Sequence, residues 1–147
     1  TKQFIESFLV VFNVITALLV GLASISLLVG AIGIANTMYT AVLERNREIG
    51  VMKAIGARNS QILTIFLIES SLIGLIGGII GMLLGVGIAK VAEQLIGGFL
   101  GPGFFQVFLP WWLLVGAAMF ALIIGTLSGI LPARQAAKMN PVDALRS

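Results

Sequence analysis

Residues 46–61, NREIGVMKAIGARNSQ, are the most polar stretch of the chain and lie between two long apolar runs. The chain has 147 residues, 59% hydrophobic and 10% charged, with a mean hydropathy of +1.10. In a soluble domain, about a quarter of the residues are normally charged. The composition therefore indicates a membrane protein. The predicted fold class is all-α, because a backbone exposed to lipid must satisfy its hydrogen bonds within its own segment.

Three apolar runs have the length of membrane-crossing helices, and we predict spans at residues 8–43, 61–89 and 111–131. The first span, from Phe8 to Leu43, has 36 residues without a charge. As a helix it would measure about 54 Å, against about 30 Å for the core of a bilayer. We expect the surplus to project from the membrane on the N-terminal side.

The connections differ in their content of Lys and Arg. Segment 44–58 holds four and the predicted tail 132–147 holds three, whereas the N-terminus and the connection after the second span hold one each. This asymmetry predicts a multi-pass protein of the cell (inner) membrane with its N-terminus outside and its C-terminus in the cytoplasm. Since the chain begins with Thr1 rather than Met, we expect a segment of a longer protein.

The second connection, residues 94–110, is predicted to be an extracytoplasmic loop on the membrane surface. Its glycines and prolines are expected to break any continuous helix, and its aromatic residues suit the membrane interface. At the end of the third span we expect the helix to stop at Pro132, before the tail.

Histidine and cysteine are absent from the sequence. Their absence removes disulfides, thiol chemistry and the commonest metal ligands. Paired carboxylates and a nucleophile next to a base are not found either. We therefore predict a protein that is not an enzyme, with no catalytic residue and no metal site, whose partners are lipid and other proteins rather than nucleic acid.

Glu69 is the one charged residue within the predicted spans. It lies nine residues beyond Ser60, about 13 Å along a helix. An ionisable side chain at that depth is a candidate functional group. A role in packing or in an interfacial hydrogen bond is favoured. Proton coupling stays open, although a relay needs companions that the spans do not offer.

Glycines recur at four-residue spacing in the second and third spans. Small residues so placed let helix backbones approach closely in lipid. The spacing fits ordinary packing within the chain and also a sliding or dimer-forming surface. The candidate helix-packing residues are Gly74, Gly77, Gly78, Gly81, Gly85, Gly125 and Gly129.

Segment 44–58 interleaves charges with Ile49, Met52 and Ile55, which are three residues apart. This pattern predicts a short amphipathic helix at the cytoplasmic surface. Gly56 suits the position after a helix end, and Asn59 or Ser60 suits the N-cap of the next span. The alternative is a charged loop that only anchors the topology.

Three stretches resemble the FtsX/MacB-type permeases of ABC transporters. ERNREIGVMKAIGA (residues 44–57) resembles the signature of the family, and LPARQAAKMNPVDALRS (131–147) resembles its C-terminal signature. IFLIESSLIGLIGGIIGMLLG (65–85) is similar to its third transmembrane helix. The resemblance covers essentially the whole chain, with the separated motifs in the right order.

The resemblance implies a four-span permease of which this chain supplies spans two to four. The first span, the large extracytoplasmic domain and any fused ATPase are not in this sequence. The implied function is that of a permease subunit, which couples ATP hydrolysis by a cytoplasmic ATPase to movement of the extracytoplasmic domain, for export or extraction. The alternative is a non-transporting scaffold or regulator of FtsX type that controls cell-wall hydrolases.

The resemblance also implies partners and residue roles. The partners are a cytoplasmic ABC ATPase subunit, a second permease copy and, as a further candidate, an extracytoplasmic adaptor. No cofactor is expected in this chain, since ATP and Mg²⁺ would bind to the ATPase. The implied ATPase-coupling residues are Glu44, Arg45, Arg47, Glu48, Ile49, Gly50, Met52, Lys53, Ile55 and Gly56. Those of the cytoplasmic tail are Pro132, Arg134, Lys138, Pro141 and Arg146.

Overall fold

The computed structural model describes residues 2–100 and 106–139, without the side chains of residues 2, 99 and 100. It contains four helices in these ranges, and no strand occurs there: α1 (Lys2–Glu44), α2 (Asn46–Ala54), α3 (Asn59–Leu100) and α4 (Trp111–Lys138). The helices α1, α3 and α4 are long and apolar enough to cross a membrane. The all-α, multi-pass prediction is confirmed, and a short helix lies where an amphipathic one was predicted.

The chain divides into two compact units, residues 1–33 and 34–147. The first consists of the beginning of α1, in which every described residue from Gln3 to Gly30 is exposed. Its surface is formed by large apolar side chains such as Phe8 and Leu18. Such a surface suits lipid or another protein better than water.

In the second unit, α3 packs against α4 through small residues. A Cβ atom built on Gly125 would lie 2.7 Å from the carbonyl oxygen of Ser70 and 2.8 Å from the Cα of Gly74. One built on Gly129 would collide with the Ser70 side chain. The two backbones therefore approach as closely as only glycine permits.

A compact apolar core lies where the end of α1, the helix α2, the start of α3 and the end of α4 meet. Its buried members are Met38, Val42, Ile49, Ile62, Phe66, Ala133, Ala136 and Ala137. All four helices contribute to this core, so it joins the short helix to the three long ones.

The helix α3 is longer than the sequence predicts, because it continues through Gly97 and Gly98 to Leu100. The expectation of a loop from residue 94 was wrong for these residues. In an apolar environment the backbone is satisfied best by continuing the helix, which offsets the low helix propensity of glycine. Residues 101–105 of the predicted loop lie outside the described ranges, and residues 106–110 are not helical.

The expected helix end at Pro132 was also wrong, since α4 runs on to Lys138. Proline costs one backbone hydrogen bond, but Pro132 and Ala133 are buried, as are Ala136 and Ala137. Packing of this last part of α4 into the core offsets that loss. Residues 140–147, with the predicted tail residues Pro141 and Arg146, lie outside the described ranges.

Candidate functional site

The helix α2 is fixed at its end by a glycine turn. Gly56 has a φ of +101°, a backbone conformation that side chains other than glycine rarely adopt. Its N–H donates to the Lys53 carbonyl at 3.0 Å, and the Ala57 N–H donates to the Met52 carbonyl at 2.9 Å. This pair of hydrogen bonds is a Schellman motif, and it confirms Gly56 as the residue that follows the helix end.

Four residues, 55–58, separate the end of α2 from the start of α3. The side-chain oxygen Oε1 of Gln61 accepts a hydrogen bond of 2.8 Å from the Arg58 backbone N–H. The N-cap is therefore Arg58, so the prediction of Asn59 or Ser60 at this position was wrong. The Gln61 side chain, three residues later, supplies the capping hydrogen bond. With only Arg45 between α1 and α2, both ends of α2 are held by short connections.

The helix α2 has a buried face and an exposed face. Ile49 is fully buried, and Gly50 is buried beside it. Arg47, Glu48 and Val51 are exposed on the other side. That side forms a cleft of about 730 Å³, which is lined by Glu44, Arg47, Glu48, Val51 and Met52. We call this surface the α2 cleft.

The three residues with large apolar side chains among the implied ATPase-coupling residues do not share a face. Ile49 is buried and Met52 half-buried, whereas Ile55 is 82% exposed. Each step of three residues turns a helix back by about 60°, so Ile49 and Ile55 lie about 120° apart. Sequence reasoning missed Val51, although its spacing of four from Arg47 places both on one face.

Lys53, a predicted contact for the ATPase, binds within the chain. Its Nζ atom donates to the carbonyl oxygen of Ala137 at 2.7 Å and to that of Met139 at 2.5 Å. The Ala137 carbonyl is in the last turn of α4 and the Met139 carbonyl follows directly after it. Carbonyls at a helix end lack donors from within the helix, and a cation is favourable there. The ammonium of Lys53 therefore ties α2 to the end of α4.

Arg45, another predicted ATPase contact, pairs with the intramembrane candidate Glu69. The Nη1 atom of Arg45 lies 3.3 Å from each carboxylate oxygen of Glu69. The spans offered no partner for Glu69, and this one comes from the junction of α1 and α2, 24 residues away along the chain. Helical spacing relates residues only within one helix, and these two residues belong to different parts of the chain. The sequence therefore did not reveal the pair.

The structure places the predicted glycines in two different positions on α3. Gly74 and Gly78 face α4, where a Cβ on Gly78 would collide with the Cβ of Ala121. The other three predicted glycines of α3 have no neighbour within 4 Å of a Cβ atom built on them, and we call these three the open glycines: Gly77, Gly81 and Gly85. Any role of these three in packing stays a prediction.

The sequence model of the FtsX-like permease C-terminal family matches residues 20–141. The chain belongs to the FtsX-like permease family. The match includes the end of α1, the α2 cleft and the core described above. Membership agrees with three helices able to cross a membrane.

Relatives of this FtsX-like chain include proteins named as ABC transporter permeases. It is 47% identical, over 92% of its length, to the uncharacterized ABC transporter permease MJ1507 of Methanocaldococcus jannaschii. It is 42% identical, over 90% of its length, to the uncharacterized permease YknZ of Bacillus subtilis. It is 44% identical, over 89% of its length, to the macrolide export ATP-binding/permease protein MacB of Agrobacterium fabrum.

The FtsX-like chain corresponds to a minor part of each of these relatives. It spans 34% of MJ1507, 32% of YknZ and 19% of MacB.

Proposed function

We propose that this chain is the membrane-embedded part of a permease subunit of an ABC-type transporter. In this proposal α2 is the coupling helix, on which a cytoplasmic ATPase acts. The observation that carries the proposal is the division of α2 into a buried face and an exposed, charged one. A loop that only anchors topology needs neither a helical cleft nor a buried face.

The α2 cleft has the chemistry of a docking surface. Glu44, Arg47 and Glu48 supply charges of both signs, which would set the register and specificity of docking. Val51 within the cleft, and Ile55 just after the end of α2, supply exposed apolar surface, which usually carries more of the binding energy. In our proposal these two residues are the apolar anchors for the ATPase, whereas Ile49 is buried and cannot contact a partner.

The buried face of α2 would pass a displacement on to the long helices. Ile49 packs in the core with residues of α1, α3 and α4, and Lys53 binds the end of α4. Packed cores shift between arrangements rather than deform continuously. We propose that a push on α2 moves the end of α1, which carries the motion outward as mechanotransmission.

The proposal includes an orientation and further partners. The distribution of Lys and Arg supports an N-terminus outside the cell membrane and a cytoplasmic C-terminus. ATP and Mg²⁺ would be bound by the ATPase. Two permease copies would act together, since two closing ATPase subunits need two coupling helices. Work would be directed to export or extraction, with an extracytoplasmic adaptor as a candidate partner.

Cysteine crosslinking in membranes tests the coupling role, and the chain contains no natural cysteine. Single cysteines at Arg47 and Val51 are expected to crosslink to the candidate ATPase, with a yield that changes on adding ATP. Cysteine at Ile49 is the matched control on the same helix, because its side chain points into the core. Cysteine at Gln106 is the control for the opposite side of the membrane.

Two outcomes would contradict the proposal. If Ile49→Cys crosslinked as well as Arg47→Cys, the exposed face of α2 would not be the docking surface. If α2 were cytoplasmic but none of its cysteines contacted an ATPase, a non-transporting scaffold or regulator would be the better function.

A further inference from the structure

A second cleft, separate from the α2 cleft, lies between the start of α3 and the end of α4. It has a volume of about 340 Å³ and is lined by Asn59, Ser60, Leu63, Arg134, Ala137 and Lys138. Arg134 and Lys138 are four residues apart, so both lie on one face of α4. The cleft thus combines two cations, an amide and a hydroxyl with the apolar walls of Leu63 and Ala137.

The position of this cleft along the helices matches the headgroup layer of a bilayer. The apolar part of α4, from Trp111 to Leu131, has 21 residues, about the number that crosses the hydrocarbon core. Arg134 and Lys138 lie about 5 Å and 10 Å beyond Leu131 along the helix. The polar layers, in which the lipid phosphates lie, add about 5–8 Å on each side of the core. The backbone of Arg134 falls within this layer, and the long side chain of Lys138 can reach back to it.

The two cations have no anionic partner in the part of the chain that the structure describes. Ion pairs there join Arg45 to Glu69 and Lys90 to Glu93, and neither Arg134 nor Lys138 takes part in one. Like charges four residues apart on a helix repel each other. An anion between them would remove that repulsion and gain two charge-assisted hydrogen bonds.

We propose that this cleft binds the phosphate of an anionic phospholipid headgroup, with Arg134 and Lys138 as its cationic ligands. Asn59 and Ser60 would supply neutral donors, and Leu63 would contact the upper acyl chain. Basic pockets between membrane helices are suited to anionic headgroups. The proposal depends on the depth and charge of the cleft, and not on the docking of an ATPase at α2.

Native mass spectrometry of the full-length protein in detergent tests this site by counting retained lipids. With phosphatidylglycerol, the wild type is expected to retain one lipid that survives mild activation, and to retain far less phosphatidylcholine. Arg134→Gln and Lys138→Gln are each expected to lower the affinity for phosphatidylglycerol about tenfold, since each removes a hydrogen bond to a charged group.

Arg58→Gln is the matched control, because Arg58 is an exposed cation at the same end of the molecule that does not line the cleft. It should retain phosphatidylglycerol like the wild type. Arg134→Lys and Lys138→Arg keep the charge and should preserve binding, which separates loss of the site from loss of the fold.

Added inorganic phosphate distinguishes the source of the anion. Failure of millimolar phosphate to displace the lipid would support a headgroup site, in which Leu63 and the acyl chain contribute. Displacement by free phosphate would overturn the lipid assignment. Equal loss of lipid in Arg58→Gln and Arg134→Gln, or equal retention of phosphatidylcholine, would overturn the site itself.

Discussion

At the scale of single residues, the charges of segment 44–58 divide into two groups. Arg47 and Glu48 point outward into the α2 cleft, whereas Lys53 binds carbonyls of α4 and Arg45 pairs with Glu69. The sequence pattern alone predicts that all four charges lie on the surface. Lys53 and Arg45 bind other parts of the chain and so stabilise the position of α2, although the Arg45 side chain is half-exposed. Arg47 and Glu48 are available to a partner.

Lys53→Met is expected to destabilise the protein by about 1.5–3 kcal/mol, the usual contribution of hydrogen bonds to a charged group. The substitution keeps the length of the side chain but leaves two carbonyls at the end of α4 without their donor. Thermal unfolding in detergent, followed through Trp111 and Trp112, measures the effect. Arg47→Met is the control, because it removes an exposed cation from the same helix. Equal stability of the two variants would contradict the capping role of Lys53.

The ion pair between Arg45 and Glu69 predicts coupling in a double-mutant cycle. Arg45→Gln and Glu69→Gln should each destabilise the protein, because each leaves the other charge unpaired next to apolar helices. The double variant should be more stable than the sum of the two effects predicts, by about 0.5–3 kcal/mol. Unfolding in mixed micelles with increasing SDS measures the cycle. Simple additivity would show that the pair contributes nothing.

At the scale of helices, the contact between α3 and α4 depends on which face of α3 carries each glycine. Gly74 and Gly78 meet α4, and Gly81 is open. All belong to one glycine-rich stretch in the sequence. They differ in their contact with α4, since an added methyl group fits on the open face of α3 and not on the face that packs against α4.

Gly125→Ala and Gly81→Ala are expected to have opposite effects on stability. The new methyl at residue 125 would meet the backbone of α3 at 2.7–2.8 Å, which side-chain rotation cannot relieve. We expect a loss of about 1–3 kcal/mol, typical of overpacking. At residue 81 the methyl meets nothing, and alanine should stabilise the helix by about 0.5–1 kcal/mol. Unfolding in mixed micelles measures both.

If Gly81→Ala were less stable than Gly125→Ala, the packing of α3 against α4 through Gly125 would be contradicted. Destabilisation by Gly81→Ala only at high protein concentration would instead indicate contact with a second copy through the open glycines.

At the scale of the whole molecule, α1, α3 and α4 are each long and apolar enough to cross a membrane. If each crosses it once, as we propose, Gln3 and Gln106 lie on the same side of the membrane. Single cysteines at Gln3 and Gln106 should therefore react with a membrane-impermeant maleimide in intact cells. Cysteine at Arg58 should react only after permeabilisation, because the positive-inside distribution puts it in the cytoplasm. Labelling of Arg58→Cys in intact cells would invert the proposed topology.

The sequence by itself determined the class of the molecule. Its apolar runs are long enough to cross a bilayer, where the backbone must form its hydrogen bonds within a helix. Gly56 ends α2 through a local backbone conformation that only glycine adopts readily. The family resemblance also rested on contiguous motifs. These properties depend on composition or on neighbours in the chain, which a sequence displays directly.

The tertiary structure decided the helix ends and the partners of the charged residues. The helix α4 continues beyond Pro132 because its last residues pack into a core built by all four helices. Lys53 and Arg45 bind groups that lie 84 and 24 residues away along the chain. Ile49 is buried because the other helices cover that side of α2. These helix ends and contacts depend on which surfaces of the helices pack together. The spacing of residues along the chain does not show that packing.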